Sequence, residues 1–134
     1  SRRRHTRSFH VTGVQTCALP ISYLDTLNIP TFGYGFTYIT KAEANLILFE
    51  RVRDIQFDLI RNYYWFRYLS PARKNVIISM VYQLGLVGFD KFKKAIKAIE
   101  AENWEEAGAE MKDSKAYTQT PNRWERQIKM FIKG

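Results

Sequence analysis

Residues 23–134 of this chain contain neither histidine nor cysteine. Both histidines, His5 and His10, and the sole cysteine, Cys17, lie at the N-terminal end. With no imidazole and no thiol, the body of the chain has no Ser-His-Asp or Cys-His nucleophile system and no His- or Cys-based zinc site. Any chemistry there rests on carboxylates, hydroxyls, amides, lysine or arginine. Long apolar runs are also lacking, since none approaches the ~20 residues that a membrane span requires. These absences point to a soluble single domain near the lower end of ordinary domain size.

Acidic residues are absent from the first 22 positions, SRRRHTRSFHVTGVQTCALPIS. Over all 134 residues the formal charge is +8, which on its face suggests nucleic acid or an anionic surface. Arg2, Arg3, Arg4 and Arg7 carry half of that excess, and without them the body is only mildly basic, at +4. The segment has no continuous apolar stretch of the length a signal peptide needs. It reads instead as a translated sequencing adapter, because VTGVQTCALPI is what one frame of a common adapter DNA encodes. Residues 1–22 are therefore expected to be an adapter-derived, disordered stretch that has replaced the native N-terminus. Residues 23–134 are expected to be the folded domain.

From Tyr23 to Ile39 the chain is aromatic and β-branched, with Asn28, Pro30, Gly33 and Gly35 as punctuation, a pattern that predicts a small irregular hairpin. Helical spacing follows. Thr40 and Glu43 form a capping-box pair ahead of Ala44, Ile47, Leu48, Val52, Ile55 and Leu59, which predicts one long helix through Arg61. Ser70-Pro71 opens another, apolar on nearly every side from Val76 to Leu84, with Gly85 and Gly88 expected to end it. Residues 89–101 predict an amphipathic helix with Phe92, Ile96 and Ile99 inward and Lys91, Lys93, Lys94 and Lys97 on a solvated face. Asn103 is expected to cap a helix from Trp104 to about Asp113, and Thr120-Pro121 to start the last one. Trp104 and Trp124 fit core positions. The expected fold class is thus α+β, mainly α: a small hairpin lobe joined by a long helix to a helical lobe.

Asp25 and Thr31 lie on the two sides of the first turn, where strand return would bring a carboxylate and a hydroxyl to one side. That pair alone is a weak signal. Its setting is more specific: Tyr23-x-Asp25-Thr26, then Thr31-Phe32-Gly33-Tyr34-Gly35, a long helix, Met80-Val81-Tyr82-Gln83-Leu84-Gly85, and Gln119-Thr120-Pro121-Asn122-Arg123. In these four blocks and their order, residues 23–134 resemble the phage-type lysozymes, the endolysin family that includes the T-even phage enzyme.

The resemblance implies a lysozyme-like fold and hydrolysis of the β-1,4 bond between N-acetylmuramic acid and N-acetylglucosamine in peptidoglycan, with inversion and no cofactor or metal. It implies that Asp25 and Thr31 are the catalytic Asp and Thr around the attacking water. Thr37, Tyr82, Gln83 and Arg123 match substrate-contacting positions, although Tyr82 fits a packing role equally well, and Arg123 matches an arginine that pairs with the catalytic Glu. Phe36 stands in place of a family histidine and Asn28 in place of a turn glycine. The general-acid Glu has no match, because Thr16 occupies its position and no acid precedes Asp25. Loss of a general acid lowers such a step by roughly 10²–10⁴, so this polypeptide is expected to have little activity. The resemblance further implies a monomer, peptidoglycan as partner, no stable membrane insertion, and residence in the host bacterial cytoplasm until lysis. Two other classes stand beside it: a non-catalytic peptidoglycan-binding module, and a basic nucleic-acid binder, which has little support once the tail's charges are set aside.

Overall fold

A computed structural model describes residues 22–134. The readings placed on residues 1–21, including the adapter-like segment, its expected disorder and Thr16, lie outside the described residues. Two compact units divide between Ile47 and Leu48.

In the first unit, β1 (Ser22–Leu24) pairs antiparallel with β2 (Pro30–Phe32), in the register Ser22 to Phe32, Tyr23 to Thr31 and Leu24 to Pro30. Ser22, the last residue of the adapter-like segment by sequence, is thus part of the hairpin. The turn closes where Asn28 N–H donates to the Asp25 carbonyl at 3.0 Å and Asp25 N–H to the Ile29 carbonyl at 3.0 Å. Asn28 has φ 58°, the left-handed conformation that asparagine tolerates best after glycine. A second tight turn follows, in which Phe32 and Phe36 exchange backbone hydrogen bonds of 2.8 and 2.9 Å. Gly33 and Gly35 both have positive φ there, which a side chain would resist.

The long helix α1 runs Lys41–Asn62. Its start is the expected capping box: Glu43 N–H donates to Thr40 Oγ1 at 3.2 Å, while Thr40 N–H and hydroxyl donate to Glu43 Oε2 at 2.7 and 2.8 Å. These bonds hold the Glu43 carboxyl below its ordinary pKa. At the far end Tyr63 turns extended, and a 3-10 turn, Tyr64–Tyr68, buries Trp65 and Phe66.

Helix α2 (Pro71–Asp90) is the centre of the second unit. Ser70 Oγ accepts from Arg73 N–H at 3.3 Å, and Pro71 sits where a missing N–H costs nothing. Val76, Ile77, Ile78, Met80 and Val81 are buried, as the near-continuous apolar pattern predicts. Gly85 does break the helix, with φ 74° and ψ 165°, but helical structure resumes immediately and continues to Asp90. Burial of Phe89 explains the resumption, because this extra turn delivers its ring edge-on to Tyr63, at 5.5 Å between centroids.

The next helix, α3 (Lys93–Glu100), consequently starts later than residue 89. Phe92 has non-helical dihedrals and stacks on Trp124 at 6.1 Å. Ala95, Ile96, Ala98 and Ile99 face the core, and Lys93, Lys94 and Lys97 face solvent. Helix α4 (Trp104–Lys112) is capped by Asn103, whose Oδ1 accepts from Glu106 N–H at 3.3 Å. A five-residue helix, α5 (Lys115–Gln119), is too short to leave a periodic signature and was not expected. The last helix, α6 (Pro121–Lys133), begins at its proline, but the Thr120 hydroxyl makes no capping bond.

Trp124 is wholly buried, with Phe89, Ile77, Met80, Ile99, Met111 and Phe131 among the largest enclosed side chains. Trp104 is a border residue, set edge-on to Phe131 at 5.9 Å and covered by the Arg73 guanidinium at 3.9 Å. No helix among the described residues is long and apolar enough to cross a membrane.

Candidate functional site

Asp25 and Thr31 are tied to one backbone residue. Asp25 Oδ1 accepts from the N–H groups of Leu27 at 2.8 Å and Ile29 at 3.0 Å, an Asx-turn that aspartate at this place in a turn naturally forms. Both bonds fall on Oδ1, so Oδ2 carries none of the turn's hydrogen bonds. The Thr31 hydroxyl donates to the carbonyl of the same Ile29 at 2.9 Å. Its proton is therefore engaged, and what it offers to anything else is a lone pair. Thr31 is 5% exposed, the one buried polar residue among the described residues.

Thr31 and Thr37 share a wall. Together with Tyr23, Phe32 and others of the hairpin they line an open concavity of about 490 Å³. Asp25 is not on that lining; it reaches Thr31 through Ile29. Phe36 packs its ring on Phe32 at 6.0 Å, which gives the histidine-replacing position a structural role.

In the helical unit, Tyr82, Gln83 and Arg123 occupy α2 and α6. Tyr82 keeps 44% of its surface exposed. Gln83 is half-buried, and its Oε1 is enclosed without a hydrogen-bond partner.

Arg123 has no carboxylate within ion-pair distance among the described residues; it donates from Nη2 to Ser79 Oγ at 3.1 Å. Gln127 Nε2 donates to the same oxygen at 2.5 Å, and Gln127 Oε1 is enclosed and unpartnered. Ser79 and Gln127 were missed by sequence reasoning. Their signal is visible in retrospect: Ser79 with Gln83, and Arg123 with Gln127, are both i,i+4 pairs, so a polar row on α2 meets a polar row on α6.

No family model matches the chain. Two curated proteins of Dictyostelium discoideum are similar to it. Probable T4-type lysozyme 2 is 37% identical over 91 residues, covering 65% of this chain and 54% of the relative. Probable T4-type lysozyme 1 is 42% identical over 69 residues, covering 52% of this chain and 41% of the relative. The chain spans about half the length of the curated relatives it matches. Over that segment it resembles the phage-type lysozymes, with a mainly helical fold carrying a small antiparallel hairpin.

Proposed function

We propose that this chain derives from a peptidoglycan-hydrolysing lysozyme, and that the polypeptide as written holds the polysaccharide but turns it over poorly. The observation that carries the reading is the anchoring of Asp25 and Thr31 on Ile29, in a chain that is 37% identical over 91 residues to a T4-type lysozyme. A water lodged between the two would donate one hydrogen to the Thr31 lone pair and the other to the Asp25 carboxylate. Both hydrogens are then engaged, and an oxygen lone pair is left for the anomeric carbon between N-acetylmuramic acid and N-acetylglucosamine. Attack on the face opposite the leaving oxygen inverts the configuration. Thr37 is a proposed saccharide contact of the hairpin unit, and Tyr82, Gln83 and Arg123 are proposed saccharide contacts of the helical unit.

Cleavage also needs an acid to protonate the leaving oxygen, and the position that the resemblance assigns to it is Thr16 in this sequence. Absence of the acid lowers the rate by about 10²–10⁴. The second reading is a peptidoglycan-binding module without catalysis, in which the saccharide contacts persist without that acid. Sedimentation with insoluble peptidoglycan and turbidity clearing of cell walls test both statements. Co-sedimentation without clearing is the expected result. Rapid clearing would refute the missing-acid argument, and failure to co-sediment would refute saccharide binding.

A further inference from the structure

A second concavity lies wholly inside the helical unit. Its volume is about 640 Å³, within the roughly 300–1,000 Å³ typical of small-molecule sites. The floor is carbon: Leu84 of α2, Phe92, Ala95 of α3 and Ala116 of α5. The two alanines leave the space, since larger side chains at those buried positions would fill it.

Charged side chains complete the lining. Lys91, Lys94 and Lys115 line the concavity, are exposed, and make no ion pair among the described residues. Lys93 also lines it, but its charge is engaged by Asp90 at 3.2 Å. Glu110 and Asp113 line it as well. Three free ammonium groups against two carboxylates leave a small positive excess, enough to favour one negative charge and too little to welcome several. An apolar floor among such charges fits a molecule with an apolar tail and a single anionic head.

We infer that this concavity is a binding site for a single-chain acyl carboxylate, the tail on Leu84, Phe92, Ala95 and Ala116 and the head among Lys91, Lys94 and Lys115. The inference is independent of the lysozyme reading, because none of these residues belongs to the proposed polysaccharide contacts. It also gives a use to the lysine cluster that sequence alone assigns to solvent.

The test uses the full chain and dansyl-undecanoic acid, whose emission rises on entering an apolar site. Saturable enhancement, reversed by dodecanoate but not by dodecanol, is the expected result. The exposed triple variant K91A/K94A/K115A should weaken the probe about tenfold, the sum of three modest surface attractions. Ala116→Phe, checked for folding by circular dichroism, should abolish binding by filling the floor. If that variant does not fold, the triple variant decides, because its positions are exposed. Any of four results overturns the inference: no saturable enhancement, equal displacement by dodecanol, displacement by a short acidic peptide with no acyl chain, or undiminished binding by the triple variant.

Discussion

Replacing Gly108 by alanine sets two effects of known size against each other. Gly108 is buried in α4, where α4 packs on α6. Alanine is favoured over glycine in a helix interior by about 1 kcal/mol. The added methyl, however, would lie 2.8 Å from Ile132 Cδ1 and 3.1 Å from Ile132 Cγ1 and Ile128 Cγ2, well inside the roughly 3.5–4.0 Å optimum for carbon atoms. Ile132 is 36% exposed and can swing its terminal methyl away. Ile128 is 6% exposed, and its β-branched side chain has little freedom within a helix. The helices must therefore separate slightly, and such overpacking costs about 1–3 kcal/mol.

The cost exceeds the gain, so Gly108→Ala should destabilise by about 1 kcal/mol and lower Tm by roughly 3–5 °C. In an Ile132→Ala background the worst contacts are gone, and the same substitution should become neutral or stabilising. Urea and thermal unfolding followed at 222 nm on the four proteins measure this coupling. A Gly108→Ala single variant more stable than the parent would refute the reasoning, as would an identical effect in both backgrounds.

Arg73→Ala should cost about 2 kcal/mol, because it removes the contact over Trp104 together with bonds to the Phe131 carbonyl at 2.9 Å and the Ile132 carbonyl at 3.2 Å. Arg73→Lys should recover only part of that in urea unfolding, since an ammonium cannot reproduce the planar fork. The Glu125 carboxyl is held below its ordinary pKa by hydrogen bonds from Lys112 at 2.7 Å and the Tyr117 hydroxyl at 2.6 Å. A depressed carboxyl contributes stability above its unfolded pKa and loses it as pH falls through the folded value, so Glu125→Gln should flatten the acid limb of the stability profile relative to the parent. Asp25→Asn should keep the turn, because the amide oxygen can still accept from Leu27 and Ile29, whereas Asp25→Ala should loosen it. Faster amide exchange at Leu27 and Ile29 in the alanine variant alone is the expected observation.

Several elements are legible from local chemistry alone. Thr40 with Glu43, Ser70 with Arg73, and Asn103 with Glu106 satisfy helix-end groups within a few residues of themselves, and each marks a real start. Asn28, Gly33 and Gly35 likewise predict the two turns through their own backbone preferences. The same rule misleads where packing overrides it. Thr120 has the residue type of a cap without the bond, and Gly85 breaks a helix that burial of Phe89 then resumes.

What the sequence determined by itself was therefore the α+β class, most helix starts, the phage-type lysozyme resemblance and the identity of Asp25 and Thr31 as candidates. Those depend on residue types at short separation. Only the tertiary structure set Ser79 against Arg123 and Gln127 across a separation of 44 to 48 positions, and gathered lysines around a carbon-lined hollow. Such contacts depend on how helices distant in the chain meet, and no local preference encodes that meeting.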